Sequence, residues 1–203
     1  MASYYIAGGK HHEALHAISM LLEKSPGDVN ALGARADVMS AIGNYDGCID
    51  DWSIVLTKKE SYLAYYNRGQ CFFSKGLYQS AYNDFKNANS FGTEAQGYHA
   101  MGKCLKEFGE LMNAISSYKK ALAIEPNLKE AAVDIAVAYM LLGKATQAAA
   151  YLNKALTIEP GYLIAMGFRA TLHSAMGEAK LALQDAGHVI TSQKADANQL
   201  LSM

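Results

Sequence analysis

Proline is scarce in this sequence, with three in 203 residues, and tryptophan occurs once. So few prolines beside abundant Ala, Leu and Met favour helix over strand as the bulk conformation. Neither sign of charge is in excess, with 18 Lys and Arg against 19 Asp and Glu and no basic or acidic block. A chain charged in this way has no electrostatic footprint for nucleic acid or an anionic membrane. Long apolar runs are also missing, and the richest, Asp134 to Gly143, breaks off well before it could span a bilayer. The N-terminus lacks a basic start followed by an apolar signal core. These absences point to a soluble intracellular protein, cytoplasmic or nuclear. Cys48, Cys71 and Cys104 are odd in number and show no CxxC spacing, so buried reduced thiols are expected rather than a disulfide framework or a zinc knot.

What the chain does have is a repeated word. KALAIEP (Lys120 to Pro126) and KALTIEP (Lys154 to Pro160) differ at one residue in seven and begin 34 residues apart. The same offset runs through a glycine series, Gly9, Gly43, Gly76, Gly109, Gly143 and Gly177, with steps of 34, 33, 33, 34 and 34. A small residue follows each glycine at fixed distance, giving Ala14, Cys48, Ala81, Ala114, Ala148 and Ala182, and Pro26, Pro126 and Pro160 share one phase. Glycine ends a helix cheaply in the left-handed conformation, and proline cannot continue the helix before it. Each unit therefore reads as helix, tight turn, helix, short loop. Apolar residues recur three and four apart, as in Tyr98, Met101, Leu105 and Ile115, Tyr118, Leu122, so each helix has one stripe to bury. Stacking successive pairs buries those stripes, which is the logic of an α-solenoid. Gly69, Gly102, Ala36, Ala136 and Ala170 form a second small-residue slot, in the first helix, where backbones are expected to approach closely.

These marks resemble the tetratricopeptide repeat, whose signature is W-x2-L-G-x2-Y, then A-x3-F, then P. The unit with Tyr98, Met101, Gly102, Leu105, Ala114, Tyr118 and Pro126 fits every spacing. The preceding unit fits through Tyr65, Gly69, Phe72, Ala81 and Phe85, and the one before it has Trp52 in the slot of the large aromatic. Glu60, Thr93 and Lys194 depart from the usual proline, and Ala186 stands where a bulky residue is expected. The resemblance implies an all-α fold, an α-solenoid coiled as a right-handed superhelix of about six units. They are expected over 1–28 (partial), 29–61, 62–94, 95–128, 129–162 and 163–196 as a single array. The first unit's opening helix is represented only by MASYYIA and the chain stops at Met203, so a segment of a longer protein is expected.

The family's known role implies a non-catalytic adaptor whose concave surface receives a peptide or partner segment, with no cofactor and no metal. Tyr66, Asn67, Gln70, Phe73, His99, Lys103, Lys106 and Asp134 are the groove residues expected from stepping along the first helices of the units. Asn67 is singled out because an amide both donates to and accepts from an extended backbone. Its alternative is a bond to the neighbouring repeat. The family's chaperone-tail clamp needs several lysines and amides around two carboxylates, and the register centred on Asn67 offers Gly33, Asp37, Gln96 and Ala100 instead. Two other readings are self-association through uncapped terminal units and a zinc hydrolase at HEALH, His12 to His16. In the second, two histidines a turn apart would hold the metal and Glu13 would be the base. Ala14 is a packing residue of the repeat, so His12 and His16 are expected to point outward.

Overall fold

The computed structural model describes residues 10–201, with side chains over 10–192. Gly9 and MASYYIA, Met203 and the side chain of Lys194 lie outside the described residues. Two compact units divide the chain, Met1–Phe108 and Gly109–Met203. The first contains α1 (His11–Lys24), α2 (Val29–Ala41), α3 (Tyr45–Lys58), α4 (Tyr62–Ser74), α5 (Tyr78–Phe91) and α6 (Ala95–Glu107). The second contains α7 (Leu111–Ile124), α8 (Lys129–Leu141), α9 (Ala145–Ile158), α10 (Leu163–Ala175) and α11 (Ala179–Leu201). No strand occurs among the described residues, and no described helix is long and apolar enough to cross a membrane.

The glycine marks are the turns. Gly43, Gly76, Gly109, Gly143 and Gly177 all take positive φ, between 69° and 81°. At four of them the helix closes with two reverse hydrogen bonds, as where Gly43 N donates to Ser40 O (3.0 Å) and Asn44 N to Met39 O (2.8 Å). That is the Schellman pattern, which satisfies carbonyls the helix end leaves open. Pro26, Pro126 and Pro160 each stand two residues beyond the end of α1, α7 and α9. Asp28, Asn44 and Ser61 cap α2, α3 and α4 by accepting from backbone N–H groups of the first turn.

The small-residue slots are closed contacts. Ala14, Ala81, Ala114 and Ala148 are fully buried, as is Ala36, while Ala182 and Ala170 in the last pair of helices are half-buried. A Cβ added at Gly69 would lie 2.7 Å from Cε1 of Phe85, a ring that is itself almost completely buried. Gly69→Ala should therefore destabilise by about 1–3 kcal/mol despite the helix-propensity gain, and a urea melt measures it.

The cysteines correct one expectation. All three are buried, but Cys48 on α3 and Cys71 on α4 form a disulfide, with Cα atoms 6.2 Å apart, and only Cys104 is free. Spacing gave no hint of this because their proximity comes from stacking α3 on α4, not from a local motif. Burial pushes the Cys104 thiol up to about 12, so it is protonated and unreactive at neutral pH. Thiol titration should find none reactive in the native protein and one in denaturant without reductant. Three in denaturant would contradict the bond.

Sequence reading also missed a series of ion pairs. Arg35, Arg68 and Arg169 each grip an aspartate 16 residues later in bidentate fashion, Asp51, Asp84 and Asp185, at 2.6–2.8 Å. The three carboxylates are buried. Arg68 also donates to Ser53 on α3, and Arg169 to Asn153 on α9, so each ties its own hairpin to the preceding one. The hydrogen bond from Arg169 holds the Asp185 carboxyl below its usual range against the opposing effect of burial, and the charges of Arg169, His173 and His188 add to it. A depressed carboxyl stabilises fully above its unfolded value of about 3.9 and loses that contribution as pH falls through the lower folded value. Melting temperature followed against pH should show a shallower acid limb in Asp185→Asn than in the parent.

Candidate functional site

The first unit contains a cleft of about 650 Å³ between α2 and α4, floored by α3. Its apolar surface comes from Trp52 and Val55 below and from Val29, Ala34 and Leu63 at the sides. Leu63 is 60% exposed, unusual for a leucine on the inner helix of a stacked pair. Polar groups face the same space: Asn30, Asp37, Lys59 and Asn67. None of these four side chains hydrogen-bonds or pairs within the described residues. The Trp52 indole N–H, in a side chain only 6% exposed, is likewise without an acceptor. Partial dehydration raises the Asp37 carboxyl above its usual range, although the residue as a whole is exposed.

One side chain distinguishes this repeat from the next at the cleft. Position 33 corresponds to Tyr66 in the next repeat by the same 33-residue step that relates Gly43 to Gly76, and Trp52 corresponds to Phe85. The Tyr66 ring packs on Phe85, with centroids 5.5 Å apart at 51°. Gly33 places bare backbone over Trp52, so close that a Cβ there would sit 3.0 Å from Cη2 of the indole. Where the next repeat packs a tyrosine on a phenylalanine, this one brings the larger indole up against bare backbone.

The groove residues expected from sequence fall into different places. Asn67 lines the cleft, and its amide is not engaged with the neighbouring repeat. Tyr66 and Gln70 are bonded to each other, Gln70 Nε2 donating to the Tyr66 hydroxyl at 2.8 Å, and Tyr66 stacks on Tyr62. Tyr66 and Phe73 are partly buried against the Phe85 and Cys104 cluster, and Lys103 Nζ sits 4.9 Å from the Phe73 ring centroid. Lys106 lies 3.9 Å from Glu107, and His99 is half-buried on α6. Asp134 belongs to α8 in the second unit. Lys59 was not expected in the groove, and Trp52, expected in the slot of the large aromatic, is buried in the core and also lines the cleft. At HEALH, His12 and His16 are exposed on either side of the buried Ala14. No group of three metal-ligating side chains occurs among the described residues.

Residues 105–161 match the family model described as tetratricopeptide repeat. The chain is 25% identical over 154 residues to the BBSome complex member BBS4 of Bos taurus, covering 75% of this chain and 30% of that protein. It therefore spans less than a third of that relative's length. Among solved structures, MamA superposes with a TM-score of 0.72 at 26% identity, covering 79% of this chain and 95% of MamA. PilW, a type IV pilus biogenesis factor, superposes with a TM-score of 0.83 at 19% identity, covering 95% and 94% respectively, and shows likeness of fold alone. With the repeat marks present as turns and close contacts in both units, the chain is an all-α helical-repeat solenoid that matches the tetratricopeptide repeat over residues 105–161 and is similar in fold to solved tetratricopeptide proteins.

Proposed function

We propose that this protein is a non-catalytic interaction scaffold that holds an extended segment of a partner polypeptide in the cleft between α2 and α4. Protein–protein interaction is the general role of the tetratricopeptide fold. The observation that supports this location is the convergence of two amides, a carboxylate and an ammonium, none of them engaged within the protein, around a cleft whose wall exposes Leu63 above the buried Trp52 and Val55. Asn67 is half-buried while Asn30, Asp37 and Lys59 are exposed at the rim, and an extended peptide backbone supplies donors and acceptors for both asparagines. Helices form the floor and both walls of the cleft, so capture requires little ordering of the receptor. An acidic chaperone tail is a poor occupant, because Asp37 stands where a clamp needs a donor.

Ala34→Tyr would fill the cleft from its wall, and Asn67→Ala would remove the amide. Partner capture should be lost in the first and weaken about tenfold in the second, the scale of a hydrogen-bond pair left unmade. Melting should change little in either, since neither position is in the closed core. Undiminished capture by Ala34→Tyr would remove the cleft from consideration. Persistence of the Cys48–Cys71 bond in protein isolated under thiol-blocking conditions also bears on compartment. A retained bond belongs to an oxidising environment, and three free thiols belong to the cytoplasm or nucleus.

A second reading, self-association, is favoured by the face of α11. Leu122 and Leu156 are buried, whereas Ile190, which shares their repeat position, is 52% exposed, and Leu183 is 73% exposed. Sedimentation across a hundredfold range of protein concentration separates a monomer from an end-to-end assembly.

A further inference from the structure

The charges in the cleft specify its occupant more closely than the fold does. Resting on the cleft as the partner site, we propose that it takes a short extended peptide segment with a large apolar side chain flanked by one acidic and one basic residue about four positions apart. Asp37 and Lys59 are the ionisable residues of the lining, and neither has an ion pair among the described residues. They stand at opposite ends. Lys59 follows the last residue of α3, and the neighbouring Lys58 reaches Gly27, so this end of the cleft lies beside the start of α2. Asp37 is eight residues along α2 from Val29, about 12 Å at 1.5 Å per residue. An extended chain advances about 3.3 Å per residue, so about four positions bridge the two charges.

Between them the cleft's apolar walls, Val29, Ala34 and the exposed Leu63, above the buried Trp52 and Val55, accommodate one large aliphatic group. A doubly acidic segment would bring a like charge to Asp37, and a doubly basic one to Lys59. Both are penalised relative to the mixed pair. The asparagines contact backbone in either chain direction, so the order of the two charged residues follows whichever direction the segment runs.

Trp52 is the chain's single tryptophan and lines the cleft, so its emission reports occupancy directly. Four capped peptides without aromatic residues serve as probes, all with a central leucine and two flanking positions occupied by Glu and Lys, Gln and Gln, Glu and Glu, or Lys and Lys. The 203-residue protein should bind the mixed Glu and Lys peptide about tenfold more tightly than the Gln peptide at low salt, as two partly exposed ion pairs provide, and the preference should shrink in high salt. Asp37→Lys should transfer the preference to the Glu and Glu peptide, and Lys59→Glu to the Lys and Lys peptide. Equal affinities for all four, with Trp52 emission still shifting, would overturn the charge pattern and leave the cleft as the site. No shift with any peptide would overturn both.

Discussion

Arg68→Met should lower the free energy of unfolding by about 3–5 kcal/mol, the scale of stranding one member of a buried ion pair. Asp84 is 4% exposed, and Arg68 supplies both of its charge-assisted bonds, at 2.7 and 2.8 Å. The loss should fall toward the lower end, because the Arg68 side chain is 21% exposed and water can reach the vacated place. Arg68 also donates to Ser53 and packs over Tyr65 and Phe72, so its removal loosens α4 from α3 as well as from α5. The chain itself suggests the compensating change. At the same two repeat positions it has Met101 with Ser117, and Ile135 with Tyr151, in place of arginine and aspartate. Arg68→Met combined with Asp84→Ser should therefore recover most of the loss, since removing both charges leaves nothing buried without a partner. Chemical denaturation of the two single variants and the double variant gives the coupling directly.

Phe85→Ala should cost a similar amount, about 3–5 kcal/mol, through the cavity left in a closed core. The ring is 1% exposed, lies directly beneath Gly69 and carries Tyr66 on its other side. Glycine at 69 cannot fill the void, and Tyr66 is tied to Gln70 and Tyr62. The effect should reach the Asn67 neighbourhood only weakly, because Asn67 points to the α2 side of α4 and Tyr66 to the α5 side. Equilibrium denaturation together with Trp52 emission separates global destabilisation from local change in the cleft.

The sequence reveals the architecture because the repeat marks are local. A glycine at positive φ (five among the described residues), a proline two residues past a helix end (three) and a small residue at a helix crossing (six in the sequence) each leave a fixed spacing, and their shared register raises it above chance. What it conceals depends on stacking. Cys48 and Cys71 meet across two helices, and the Arg68 and Asp84 pair bridges a hairpin, which an inspection of single-helix periodicity does not reach. A 16-residue Arg-to-Asp offset occurring three times in the repeat register was a signal that could have been found. Asn67 was identifiable as a polar residue on an inner helix, and Tyr66 beside it was expected to share its role. The two point about 100° apart on the helix, and that rotation places Asn67 in an open cleft and Tyr66 against Phe85. Gly33 lines the cleft where the next repeat has Tyr66, a difference visible in the sequence only once the two repeat positions are aligned.

Photo-cross-linking from a benzophenone side chain at Leu63, inside the cleft, compared with one at Leu183 on the exposed face of α11, tests directly where a partner sits. With partner bound, covalent adduct is expected from position 63, abolished by Ala34→Tyr, and none from position 183. Adduct from 183 with none from 63 would place the partner elsewhere and contradict the assignment of the α2 and α4 cleft.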